Sequence, residues 1–148
     1  LRLAHENKID GWGHSFNGTL IKREILDLVG YPLKELNGWG IEVEYLFRVL
    51  QYSCKVATIT NSEIFHPKTR ENTIDLLGGV KLMNLKGEKF NRYYTNRFYI
   101  FLKYSKRKFV KHYVLISIGL LSKGMITLYV EFIFATFNSI KLLLKHKK

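Results

Sequence analysis

Phe16-Asn17-Gly18-Thr19-Leu20-Ile21 runs directly into Lys22-Arg23-Glu24-Ile25-Leu26-Asp27-Leu28-Val29, and Gly30-Tyr31-Pro32 follows. The first six residues suit a short strand, and the next eight set Ile25, Leu28 and Val29 at helical spacing. Gly30 and Pro32 stop that helix, since proline has no N–H to continue the ladder. The stretch therefore reads as a strand-to-helix unit. Working outward, a second helix is expected from near Gly40 to Ser53, with Val43, Leu46, Phe47 and Leu50 as its buried stripe and Asn37 as a possible cap. Val56-Ala57-Thr58-Ile59-Thr60 fits a strand returning to the sheet, closed by His66-Pro67. Residues 68–75 are polar and aperiodic and read as a loop able to close over a site.

The chain has 148 residues, and 47% hydrophobic with 14% aromatic content argues for an ordered core plus an appendage. It opens at Leu1 without a signal-peptide layout and reads as a fragment. Cys54 stands alone in an apolar stretch, which suits a small buried hydrophobe better than a nucleophile. Charge divides the chain: residues 1–80 carry 9 Lys+Arg against 10 Asp+Glu, and residues 81–148 carry 15 against 2. Two regions are therefore expected, 1–80 as an ordinary domain and 81–148 as a basic, helical, membrane-associating region.

Helical patterning resumes from Lys89 to about Lys111, rich in aromatics. Tyr113–Leu121 and Met125–Ile140 are strongly apolar, but Lys123, Gly124 and Glu131 interrupt them, so interfacial helices are expected in preference to a spanning one. Lys103, Lys106, Arg107, Lys108, Lys111 and His112 before this segment, and Lys145, His146, Lys147 and Lys148 at its end, would sit among anionic headgroups. Nucleic acid is not an expected partner, because the basic aromatic residues 89–112 carry no stacking-module signature.

The strongest constellation for chemistry is Trp39-Gly40-Ile41-Glu42-Val43-Glu44-Tyr45-Leu46-Phe47-Arg48, which sets two carboxylates at a helix start. Residues two apart lie about 200° apart around a helix, so Glu42 and Glu44 do not share one target, and Glu42 at the mouth is the better reacting group. Alternatively both are solvated first-turn acids, with Glu44 pairing Arg48 at i,i+4. His66, at a strand end before Pro67, suits a metal ligand or a plain surface role. Trp12, His14, Asn17 and Gly18 bring an indole, an amide and a flexible backbone together, suited either to holding a sugar or to simple packing around a bulge.

Taken in order, Phe16-Asn17-Gly18-Thr19-Leu20, Arg23-Glu24 to Gly30-Tyr31-Pro32, Trp39-Gly40-Ile41-Glu42-Val43-Glu44-Tyr45 to Arg48, and His66 resemble family 2 glycosyltransferases of the rhamnosyl- and galactofuranosyltransferase type. The match spans Phe16 to His66, with weaker similarity to about Tyr104. Tyr93-Tyr94-Thr95-Asn96-Arg97 is similar to a Tyr-Tyr-x-x-Arg-Asn element of the same enzymes, with Phe98 in the Asn place. Two positions depart from the pattern: Ile41 replaces the usual first Asp, and Glu42 the commoner second Asp. The family's nucleotide-binding strands and Asp-x-Asp metal motif have no counterpart in these residues.

The resemblance implies the C-terminal half of a GT-A, Rossmann-like domain followed by a basic, apolar helical tail. It implies an inverting enzyme that moves a rhamnose- or galactofuranose-like sugar from a nucleotide-sugar donor to a lipid-linked or polysaccharide acceptor. In that reading Glu42 is the general base and His66 helps hold a divalent metal, Mn²⁺ or Mg²⁺. Trp12, Asn17, Gly18, Trp39 and Glu44 contact substrate. The enzyme would lie peripherally on an anionic membrane surface, at the cytoplasmic face. Competing with it are a non-catalytic membrane-surface or assembly module, in which the acidic pair is only a helix start, and a degenerate glycosyltransferase fragment.

Overall fold

A computed structural model describes residues 7–11, 13, 18–36, 38–63, 65 and 72–146. The chain forms two compact units, one from residues 1–37 and 41–68, the other from 38–40 and 69–148. The division expected at 80/81 follows charge, whereas the compact units divide after residue 68.

In the first unit, β1 (Lys8–Asp10) pairs antiparallel with β2 (Ala57–Ile59), with Ile9 opposite Thr58. Between them in sequence lie α1 (Arg23–Val29) and α2 (Ile41–Gln51). Gly30 ends α1 at φ 82°, a left-handed value that glycine adopts without cost, and its N–H reaches the Leu26 carbonyl. Val29, Tyr45 and Val49 make the small core, with Ile25, Leu26, Cys54 and Val56 packed against it.

Two expectations fail here. The described part of the strand expected at 16–21, residues 18–21, is turn and irregular chain, and Leu20 is 99% exposed. On α2 the buried arc is the opposite one. Glu44, Tyr45 and Val49 are buried, while Val43, Phe47 and Leu50 are exposed. Tyr45 and Val49, one turn apart, belong to the same apolar cluster as Val29 of α1, and this contact turns the Val43 stripe outward.

The second unit contains β3 (Thr73–Asp75) and β4 (Lys81–Met83), paired antiparallel, then α3 (Gly87–Tyr104), α4 (Lys106–Ser122) and α5 (Ile126–Lys145). Phe90, Tyr94 and Phe98 recur every fourth residue on α3 and meet Ile116 and Leu120 of α4 and Phe132 and Ala135 of α5. The Phe98 and Phe132 rings meet edge to face at 5.2 Å. Each such fully buried aromatic contributes about 1.5–3 kcal/mol. Gly119 lets Leu76 lie against α4, since a Cβ there would stand 2.9 Å from the Leu76 Cβ. Tyr94 accepts the Met83 N–H at 3.1 Å, tying β4 to α3. Burial pushes the Tyr94 hydroxyl well above the ordinary tyrosine range, the Met83 bond pulling the other way. The single helix expected over 89–111 is two, broken at Ser105 with φ −156° and ψ 76°.

These elements overturn the α/β, Rossmann-like GT-A expectation. Among the described residues there are five helices and two separate two-stranded antiparallel ribbons of three-residue strands. A parallel sheet needs strands joined by crossover helices, and no described strand pairs in that way.

On α4 and α5 a second apolar arc remains uncovered. Val110, Val114, Ile118 and Leu121 are exposed on α4; Ile126, Val130, Ile133, Phe137, Ile140 and Leu144 are exposed on α5, at helical spacing along its whole length. The 20 residues of α5, with mean hydropathy 1.4, are long and apolar enough to cross a membrane, about 30 Å at 1.5 Å per residue. Lys103 Nζ donates to the Tyr99 hydroxyl at 3.3 Å, and the Tyr99 ring lies 6.1 Å from the His146 ring. The end of α3, the start of α4 and the end of α5 therefore share one end of this unit, where Lys106, Arg107, Lys108 and Lys145 are exposed.

Candidate functional site

Arg48 organises the first unit. Its Nη1 donates to the Val29 carbonyl at 3.0 Å, and its Nη2 donates to the Tyr31 carbonyl at 2.9 Å and to Glu44 Oε2 at 3.1 Å. The guanidinium also lies 5.1 Å from the centre of the Tyr45 ring. A planar fork of five N–H groups can make all these bonds at once, and the carbonyls at the end of α1 have no helical partner of their own. Arg48 thereby joins Gly30-Tyr31-Pro32 to the acidic helix: two motifs separate in sequence are one structural feature.

This decides how the two carboxylates differ. Glu44 has no exposed surface and its carboxylate is held by Arg48. Glu42 sits in the first turn of α2, half-buried, on a different side of the helix. Contact with substrate, the role the resemblance implies for Glu44, meets a sealed side chain.

In the second unit Trp39 is held on α3. Asn96 Nδ2 donates to the Trp39 carbonyl at 2.7 Å, and the indole meets the Tyr93 ring edge to face at 5.2 Å. Arg97 donates to the Tyr93 hydroxyl at 2.9 Å, bracing that ring. Gly40 follows at φ 92°, and a Cβ there would touch Ile100 at 3.0 Å, so this turn requires glycine. Trp39 keeps 42% of its surface exposed, enough to offer an indole face. The Tyr93-Tyr94-Thr95-Asn96-Arg97 element is thus the bracket for Trp39-Gly40.

Comparison of the chain with protein-family models, with curated proteins and with solved structures finds no match in any of the three.

Of the other residues singled out, Gly18 is exposed in a turn with φ 73°. Trp12, Asn17 and His66 lie outside the described residues, and so does any juxtaposition of His66 with Glu42. Among the described residues no group of three or more His, Cys, Asp or Glu side chains could hold a metal ion.

Sequence reasoning missed Asn96 and Tyr93 as supports of Trp39, and Arg48 as more than a partner of Glu44. An amide inside an aromatic helical stripe was the available signal for Asn96, since a buried amide requires a partner.

Proposed function

We propose that this chain contributes the acceptor side of an inverting glycosyltransferase that works at a membrane surface. The observation that carries the reading is the division of labour on α2: Arg48 seals Glu44, while Glu42, in the same first turn, is half-buried and on a different side of the helix. In the proposed step Glu42 removes the proton from an acceptor hydroxyl as its oxygen attacks the anomeric carbon. The bond from that carbon to the nucleotide diphosphate breaks on the opposite face, and its electron pair leaves with the diphosphate oxygen. General-base help of this kind contributes about 10²–10⁴-fold. Within the second unit, Trp39, held by Asn96 and Tyr93, offers an aromatic face of the type on which sugar rings stack.

The membrane part of the proposal is supported by the uncovered apolar arcs of α4 and α5 and by the basic end they share. Peripheral attachment at the cytoplasmic face would hold the enzyme beside a lipid-linked or polysaccharide acceptor. Dependence on Mn²⁺ or Mg²⁺ rests on the resemblance alone.

Transfer of nucleotide-activated rhamnose and galactofuranose by the gene product that contains these residues tests the catalytic part. Glu42→Gln is expected to lower kcat at least 100-fold, with KM little changed. Transfer at the parental rate by that variant overturns the assignment. A second reading, a membrane-surface module without catalysis, is favoured by Ile41 standing in the usual acidic position. Absence of transfer to any acceptor, with vesicle binding intact, would select it.

A further inference from the structure

A groove of about 480 Å³ lies between α3 and α5, within the range of small-ligand pockets. Its α3 wall is a single stripe, Glu88, Asn91, Arg92 and Thr95, at i, i+3, i+4 and i+7. Facing it from the otherwise apolar α5 are Glu131, Phe134 and Asn138.

The groups are arranged in a network with open valences. Asn138 Nδ2 donates to Asn91 Oδ1 at 3.2 Å, and the Thr95 hydroxyl lies within reach of both Asn91 Oδ1 and the Ala135 carbonyl, each at 3.3 Å. Asn91 also carries two amide N–H donors, and Asn138 an amide oxygen acceptor. Arg92 pairs with Glu88. Glu131 Oε2 is shielded from solvent and has no hydrogen-bond partner among the described residues. Phe134, 61% exposed, adds an aromatic surface at the rim.

The chemistry of these groups selects the ligand. Arg92 is paired with Glu88, and Glu131 adds a second acidic side chain to the lining, a balance that does not favour phosphate or other anions. A single unpaired carboxylate is a poor cage for a hard divalent cation, which takes six or more oxygens. Hydroxyl groups, each both donor and acceptor, match an array of amide N–H, amide oxygen and carboxylate, and the apolar face of a sugar ring matches Phe134.

We infer that the α3–α5 groove is a binding site for an uncharged sugar ring, with Glu131, Asn91 and Asn138 hydrogen-bonding its hydroxyls. The site is independent of Glu42 and of whether the protein transfers sugar at all.

The test is saturation-transfer NMR on the full chain in dodecylphosphocholine micelles, which present no sugar. Methyl glycosides of rhamnose, galactofuranose and glucose serve as probes, with inorganic phosphate and MgCl₂ as comparisons. At least one glycoside is expected to bind in the millimolar range and to shift the amide resonances of Asn91 and Asn138. Glu131→Leu is expected to weaken that binding at least tenfold while leaving Tm equal or higher, because it removes a charge from an apolar helix. Loss of binding with Tm maintained therefore cannot be attributed to unfolding. Unchanged binding by Glu131→Leu, shifts confined to residues outside the groove, or perturbation of the groove by phosphate or Mg²⁺ and by no glycoside would each overturn the inference.

Discussion

The Glu44 carboxylate, without exposed surface, receives the Arg48 guanidinium at 3.1 Å, and the same guanidinium closes the end of α1. A buried pair gains little over an apolar pair of the same shape, but removing one partner strands the other. Arg48→Ala is therefore expected to destabilise the protein by about 3–5 kcal/mol. The double variant Glu44→Leu with Arg48→Met should recover a substantial part of that loss. Urea denaturation of the three proteins checks this, and equal losses in the single and double variants would show that the carboxylate does not depend on Arg48.

Asn96 holds the Trp39 carbonyl from α3. Asn96→Ala removes one hydrogen bond and leaves an acceptor unpaired, a cost of about 1–3 kcal/mol. In a Trp12→Phe background, where Trp39 is the sole indole, the variant should shift fluorescence to the red and increase quenching by acrylamide. An unaltered spectrum would mean that Tyr93 alone positions the ring.

Lys106, Arg107 and Lys108 lie at the basic end of the helical unit. Each basic residue near an anionic surface contributes about 1 kcal/mol, so replacing all three by Gln should weaken partition onto phosphatidylserine-containing vesicles by about 100-fold. Binding to neutral phosphatidylcholine vesicles should change little, because the apolar arcs of α4 and α5 are retained. Co-sedimentation at low and moderate salt reads both quantities. Equal losses on the two vesicle types would remove the electrostatic component.

His112 on α4 has its pKa lowered, chiefly by desolvation, with Arg97, Lys111 and Lys108 adding to the effect and a hydrogen bond to the Lys108 carbonyl opposing it. The unfolded chain then binds more protons than the folded one as pH falls below the usual histidine value of about 6.5. The stability contribution is present above that pH and is lost as pH drops through the folded value. Thermal melts between pH 7.5 and 5 should show a smaller decline for His112→Asn than for the parent. A parallel decline in both would assign the pH dependence to other groups.

The positions of α1 and α2, the aromatic character of α3 and the divergence of Glu42 from Glu44 are all legible in the chain, because helical periodicity and capping act within a few residues. The arc of α2 that would be buried was misread: Val43, Leu46, Phe47 and Leu50 satisfy an apolar pattern as well as Tyr45 and Val49 do. The choice was made by α1 and by Arg48, whose carbonyl partners lie 17 and 19 residues away. The strand expected at 16–21 failed for a related reason, since a strand exists only where another chain segment completes its hydrogen bonds.

Sequence by itself determined the charge division, the helix-forming stretches, the Gly30 and Gly40 turns and the presence of a carboxylate at the mouth of α2, all properties of residues and their near neighbours. Tertiary structure alone decided that the described strands form two small antiparallel ribbons, that Glu44 is sealed by Arg48, that Asn96 supports Trp39, and that Asn91 meets Asn138 in the groove between α3 and α5. Each of these depends on contacts between segments distant along the chain, and local pattern carries no information about which distant partner will remove a given side chain from water.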